Sequence, residues 1–180
     1  MLMTAENSAL LVVDVQERLL SHIDGWQVVL DNVIWLVRVA TKIGVPVMAT
    51  EQYPKGLGHT NALLAKELPG TAIVEKVHFS CAAAQCMTGL PGADRGQVVI
   101  CGIESHVCVL QTALELRWQG KEVFVVGDSV GSRDPYNKEL ALQRMRQHGI
   151  EVVGREMVAF EWLRRAGTPL FKEVSSEFLR

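Results

Sequence analysis

The chain lacks most of the features that would place a protein quickly. No apolar run is long enough for a membrane span, since the stretch from Ala9 to Val13 is stopped by Asp14 and a bilayer needs roughly 20 residues. Nor does the start, Met1 to Leu10, carry the basic region that opens a secretory signal, so the sequence reads as soluble and cytoplasmic, with no membrane partner. Cysteine is scarce: Cys81, Cys86, Cys101 and Cys108 form no CxxC pair, and none stands at zinc spacing from a histidine pair. A disulfide framework and a zinc ribbon are thereby excluded, and Cys86 and Cys101 read as small core residues. Basic clusters are missing too. Nothing exceeds Arg164-Arg165 and the net charge is −2, which leaves no footprint for nucleic acid and favours a small, weakly charged partner molecule. Repeats, low-complexity stretches and linkers are absent, and 180 residues with 48% hydrophobic content suit one core, hence one domain over residues 1–180.

What the chain does have is alternation. Short β-branched runs (Leu10 to Val15, Val45 to Thr50, Thr71 to Lys76, Gln97 to Gly102, Glu122 to Val126, Ile150 to Val153) are separated by longer amphipathic segments, the βαβ pattern of a parallel sheet covered on both faces. Helices are expected from Val29 to Ile43 with Gly44 as stop, over Thr60 to Leu68, from Ser105 to Trp118, from Asp134-Pro135 through His148, and from Val158 to Ala166, followed by a polar tail. Gly89 to Gly96 is the loosest segment. Gln52 to Thr60, with Pro54, Gly56 and Gly58, reads as an irregular loop at the carboxyl edge of the sheet.

Ligands of open α/β sheets settle at that carboxyl edge, where the strand order reverses. Three chemistry-bearing residues fall there: Asp14 after the first strand, Lys76 at the end of the third, and Cys108 in the helix start after the fourth. A free thiol is only roughly 3% ionised at neutral pH, and a helix amino terminus contributes about 0.3 to 1 kcal/mol where one pKa unit takes about 1.36. The dipole is therefore insufficient, and a nucleophilic Cys108 needs a cation and a proton acceptor. Asp14 suits the second role, taking the thiol proton and returning it to a leaving group, while Lys76 stabilises the thiolate and the carboxylate. If Ser105 is the N-cap, the Cys108 N–H is one of the unpartnered donors of the first turn and can receive an oxyanion. Singly, each residue has a plain alternative in a turn, a solvated edge or core packing; on one edge together they point to covalent catalysis.

These residues lie in stretches that resemble the isochorismatase-like cysteine hydrolases: LLVVDVQ (10–16), EKVHFS (75–80), VVICGIESHVCVLQTALEL (98–116), VFVVGDSVGSR (123–133) and EMVAFEWL (156–163), covering nearly the whole chain in order. The resemblance implies a three-layer α/β/α Rossmann-like fold with a six-stranded parallel sheet in the order 3-2-1-4-5-6. It implies Asp14, Lys76 and Cys108 as catalytic triad, and a cis peptide at Ile103-Glu104 that turns the Glu104 N–H toward the oxyanion beside that of Cys108. It also implies a homo-oligomer, with Val158, Phe160 and Trp162 alternating along a candidate partner surface.

Nicotinamidases of that family hold a metal on an Asp and paired histidines after the second strand, whereas Glu51, Gln52, Tyr53 and the single His59 stand here, so neither metal nor other cofactor is expected. True isochorismatases lack the cysteine that this chain has. In supporting roles, Gln16 is read as orienting Asp14 or holding a turn, Phe79 as an apolar substrate wall and Ile103 as substrate-facing. His78 and His106 are read as peripheral and Asp128 as bracing a turn from Ser129 to Arg133. The reading that results is hydrolysis of a C–N bond in a small amide, carbamoyl or related substrate through a covalent intermediate on Cys108. Its alternatives are a metal-assisted nicotinamidase-like amidase using Glu51 or His59, and a binding or scaffold protein without turnover.

Overall fold

The computed structural model describes residues 1–68, 70 and 73–179 of the chain. Its strands are β1 (Ser8–Val13), β2 (Val47–Gln52), β3 (Ile73–Lys76), β4 (Gln97–Ile103), β5 (Glu122–Gly131) and β6 (Glu151–Val153), paired in parallel in the order β3-β2-β1-β4-β5-β6. The helices are α1 (Glu17–Leu20), α2 (Trp26–Ile43), α3 (Pro54–Leu57), α4 (Ala62–Ala65), α5 (Leu110–Trp118), α6 (Pro135–Gln147), α7 (Arg155–Leu163) and α8 (Pro169–Phe178), with a π-helical turn over Ser105–Val109 leading into α5. Among the described residues no helix is long and apolar enough to cross a membrane.

A parallel sheet must be covered on both faces, so its central strands read as near-continuous apolar runs. Along β1 the side chains sort by parity: Leu10 and Val12 join one core with α2 and α7, while Ala9, Leu11 and Val13 join the other with α5 and α6. The same split recurs in β4 (Val99, Cys101 and Ile103 against Val98 and Ile100) and in β5 (Phe124 and Val126 against Val123 and Val125). Cys101 is thus a core residue. Because β1 is flanked by β2 on one side and β4 on the other, the chain leaves the sheet in opposite directions there, and a crevice opens at the carboxyl ends of these two strands.

Four expectations need correction. The stretch from Gln52 to Thr60 is partly regular: Gln52 closes β2, and Pro54 opens the one-turn α3. The polar tail is a helix, α8, started by Thr168, whose Oγ1 accepts from the Phe171 N–H, and by Pro169. It docks through buried Val174 and through Phe178, whose ring meets Trp35 edge-on at 6.4 Å. The Ser129 to Arg133 turn is instead the end of β5, which runs to Gly131, and Asp128 holds the start of α7 by accepting from the Arg155 N–H at 3.1 Å. On α7, Val158 and Trp162 are one turn apart and point into the core, so the partner surface read from their alternation shrinks to Phe160, which is 50% exposed. Of the expected third strand, Ile73–Lys76 is found and Thr71 and Ala72 lie outside the described residues.

One glycine is required for the crevice. Gly102 pairs with Val13, has φ +114°, and a Cβ there would lie 2.7 Å from the Val13 nitrogen and nearer still to its carbonyl oxygen. Gly120 is also left-handed, at φ +88°, but has open space around it. Gly102→Ala should therefore lower the unfolding free energy by about 3 kcal/mol or more, and Gly120→Ala by only about 1, in denaturant titrations. Equal losses would mean that the β1–β4 approach is not the constraint.

Candidate active site

Asp14 and Lys76 do not sit on adjacent strands. With β2 between them their backbones are two strand spacings apart, about 9.6 Å, and the lysine must lie across the end of β2 to reach the carboxylate. It does so: Lys76 Nζ is 2.7 Å from Asp14 Oδ2, with both side chains fully buried. Asp14 adopts a left-handed conformation, φ +51°, just past β1. Its N–H donates to the Thr50 carbonyl at 3.1 Å and its Oδ1 accepts from Thr50 Oγ1 at 2.7 Å. Left-handed backbone is uncommon outside glycine, though better tolerated by Asp than by most residues, and such strain concentrates at functional sites.

Lys76 Nζ also donates to Gln52 Oε1 at 2.7 Å, to the Phe79 carbonyl at 3.0 Å and to the His78 carbonyl at 3.3 Å. Three N–H bonds face four acceptors, so the ammonium holds none in reserve. Its contribution to the site is charge. Gln52 is fixed in turn: its Nε2 donates to the Val77 carbonyl at 2.9 Å, its N–H donates to Gln16 Oε1 at 2.7 Å, and its carbonyl accepts from Gln16 Nε2 at 3.0 Å. Thr50 and Gln52 escaped the sequence reading. The signal was available, because residues i and i+2 at the end of a middle strand share a face, and any link between the outer two strands must pass over them.

Cys108 completes the group. Its thiol stands close enough to Asp14 and Lys76 to feel both charges, and the residue is 5% exposed. It stands in the π-helical turn before α5, a type of irregularity frequent at functional sites, where the Val107 and Val109 N–H groups both turn back to the Glu104 carbonyl. The N-cap is Glu104. Ser105, expected in that place, is fully buried one residue further on, and its Oγ has no hydrogen-bond partner. The expectation of a resting thiolate is also corrected. Burial pushes the Cys108 thiol far up and the Asp14 charge adds to it, against the opposing pull of Lys76. These influences favour the protonated thiol at Cys108, with the Asp14 carboxylate nearby.

The Ile103-Glu104 peptide is cis. The Glu104 carboxylate turns away from the crevice to Arg133, accepting from its backbone N–H at 3.0 Å and from its guanidinium at 2.6 Å. Burial would raise this carboxyl, but the Arg133 donors reverse the sign and hold it below the usual range. His106 Nδ1 lies 2.9 Å from Ser132 Oγ, which ties the π turn to the end of β5.

The remaining site expectations divide. Gln16 holds the turn after β1, its N–H donating to the Asp14 carbonyl at 2.8 Å, while its side-chain amide is spent on Gln52 and on the Gly58 carbonyl, at 2.6 Å, and so anchors the α3 loop to β2. Ile103 is wholly buried in the core beneath the sheet and presents no side chain to a ligand. Phe79 is 52% exposed, which rules out the core alternative, while its carbonyl holds Lys76. His78 is exposed. Glu51 Oε1 accepts from the Thr60 N–H and Oγ1 at 2.6 and 2.7 Å, and Oε2 lies 3.0 Å from His59 Nδ1; these donors outweigh burial and lower its pKa. Among the described residues no three His, Cys, Asp or Glu side chains gather as metal ligands. Of the cavities, one of about 520 Å³ borders Lys76, Tyr53 and Val77, whereas the larger, about 640 Å³, is lined by Lys42, Gly44 and Pro46 at the opposite edge, remote from the thiol. The first bears on the site.

Comparison with known proteins gives a consistent result. Residues 8–157 match the family model described as the isochorismatase domain. An isochorismatase family protein 1B from Dictyostelium discoideum is 36% identical over 174 residues, covering 94% of this chain and 84% of that one. A secreted isochorismatase effector from Phytophthora sojae is 37% identical, covering 94% and 83%. Among solved structures, that of a MAR1 ribonuclease from Caenorhabditis elegans superposes with a TM-score of 0.90 at 34% identity, covering 100% of this chain and 93% of that one.

Two measurements probe this geometry. Lys76→Met strands a buried carboxylate and should lower stability by about 3 to 5 kcal/mol in urea titrations at neutral pH, most of which a second change, Asp14→Asn, recovers. For Cys108, the alkylation rate with iodoacetamide should climb through about pH 8 to 10 without a plateau, since a thiol raised above its ordinary value of about 8.5 ionises only at higher pH. A plateau reached below neutrality would contradict a protonated resting state.

Proposed function

The chain belongs to the isochorismatase domain family, and from that premise we propose that it is a cysteine hydrolase cleaving a C–N bond of a small amide, carbamoyl or related substrate. The observation that carries the reading is the thiol of Cys108 beside the carboxylate of Asp14, whose far oxygen is held by Lys76 at 2.7 Å. In the proposed sequence Asp14 takes the thiol proton as the sulfur attacks the electron-poor carbon, so charge separation is brief and the protonated resting thiol is no obstacle. The oxyanion that develops is received by the backbone N–H groups of Glu104 and Cys108 at the start of the π turn. Asp14 then passes the proton to the departing nitrogen, leaving a thioester or thiocarbamate on Cys108, and water activated by the same carboxylate releases the acid. Lys76 moves no proton in this scheme; it supplies a fixed positive charge to a carboxylate that cycles between forms. Exposed Tyr53, which lines the cavity bordering Lys76, and exposed Phe79 suit an apolar substrate wall.

Cleavage of RNA, the activity in the name of the worm protein, is the rival reading. A net charge of −2 and a lysine whose N–H groups are all engaged weigh against it, because a phosphate backbone calls for free cations. The metal-assisted alternative would draw on Glu51 and His59, and metal analysis of the purified protein separates it. Self-association is part of the proposal and is checked by light scattering.

Exposure to a panel of small amides and carbamoyl compounds, followed by intact-protein mass measurement, should reveal an acyl adduct on the wild type and none on Cys108→Ala. Turnover in the Cys108→Ala variant, or degradation of RNA by the wild type without any adduct, would overturn the assignment.

A further inference from the structure

Two cysteines outside the proposed mechanism are brought together by backbone geometry. Ser80 opens a single helical turn, its Oγ accepting from the Ala82 and Ala83 N–H groups at 3.1 and 3.2 Å. The turn is closed by a pair of bonds, Cys86 N–H to the Cys81 carbonyl and Gln85 N–H to the Ala82 carbonyl, both at 3.0 Å, with Gln85 left-handed at φ +54°. These are the six-to-one and five-to-two bonds of a Schellman motif, in which the first and sixth side chains meet, usually as an apolar contact. Here both are cysteines. Their side chains share one buried cluster, Cys81 fully buried and Cys86 nearly so. Beside them a cavity of about 410 Å³, lined by Cys81, Gln85 and Met87 among others, is large enough to admit a small oxidant.

We propose that Cys81 and Cys86 are a redox modification site, a dithiol that closes to an intrachain disulfide when it meets a peroxide. One sulfur attacks a peroxide oxygen, giving a sulfenic acid and one water. The second sulfur then displaces the hydroxyl as another water, so that two thiols are oxidised, one peroxide is reduced, and both thiol protons leave in water. Cys86 is the first sulfur: the Cys81 donor lowers its pKa against burial, and the Lys76 charge assists. Closure draws the two sulfurs from contact to bonding distance and so shifts the segment just after Phe79 and His78, whose carbonyls hold Lys76.

The test treats the full chain with hydrogen peroxide, blocks free thiols with N-ethylmaleimide and maps the peptides by mass. The expected product is a Cys81–Cys86 bond lighter by two hydrogens, reversed by dithiothreitol and absent from Cys86→Ser. Peroxide that oxidises Cys108 while leaving both residues alkylated as free thiols would overturn the proposal, as would a bond from either of them to Cys108. A second readout rests on the hydrolase reading: turnover should fall by roughly tenfold or more on oxidation, through misplacement of Lys76, and return with dithiothreitol. In Cys86→Ser that reversible component should be missing. Peptide mapping needs no substrate, so failure of the hydrolase reading leaves the disulfide result intact.

Discussion

The site is organised around one electrostatic constraint: an ammonium and a carboxylate, both removed from water, must meet over the end of a strand that separates them. Such a pair gains little net stability, because desolvation offsets much of the attraction, but losing either partner leaves an unpaired buried charge. Every neighbour of the pair can be understood as meeting that condition. Thr50 and the left-handed turn at Asp14 fix the carboxylate, and Gln52 with the Phe79 and His78 carbonyls exhausts the N–H groups of Lys76. Gln16 then ties Gln52 to the loop carrying α3. A stretch of backbone that looks loose in composition is held at its base by the catalytic cation's own support.

This arrangement sets what the nucleophile can be. The Lys76 charge favours a thiolate at Cys108, but burial and the Asp14 charge outweigh it, and the net effect is a raised pKa. In the proposed mechanism activation is deferred to the moment of attack, with Asp14 as acceptor, in contrast to cysteine enzymes that hold a preformed thiolate.

Much of the fold was legible because parallel strands buried on both faces leave continuous apolar runs, and the helix stops at Gly44, Gly120 and Gly149 mark the punctuation between them. The triad could be placed because strand ends are easier to locate than side-chain partners. What escaped was of two kinds. The supporting residues Thr50 and Gln52 depend on which strand lies between which, a property of the sheet order that periodicity does not carry. The start of the helix that carries Cys108 is a π turn capped by Glu104 and not Ser105, while the cis Ile103-Glu104 peptide was legible only through the family resemblance. Of the two readings of Gln16, the turn bond is found in its N–H to the Asp14 carbonyl, while its side chain reaches the next strand and not the carboxylate. On α8 the Thr168-Pro169 start signal stood in plain view, hidden by the polar composition around it.

The central claim is the location of one proton. Infrared difference spectroscopy between the wild type and Cys108→Ala at neutral pH reads it directly through the S–H stretching band. A band present in the wild type, lowered in frequency by donation to a carboxylate and lost in the variant, is the result this account requires. Absence of any S–H difference, meaning a sulfur already ionised at rest, would contradict it.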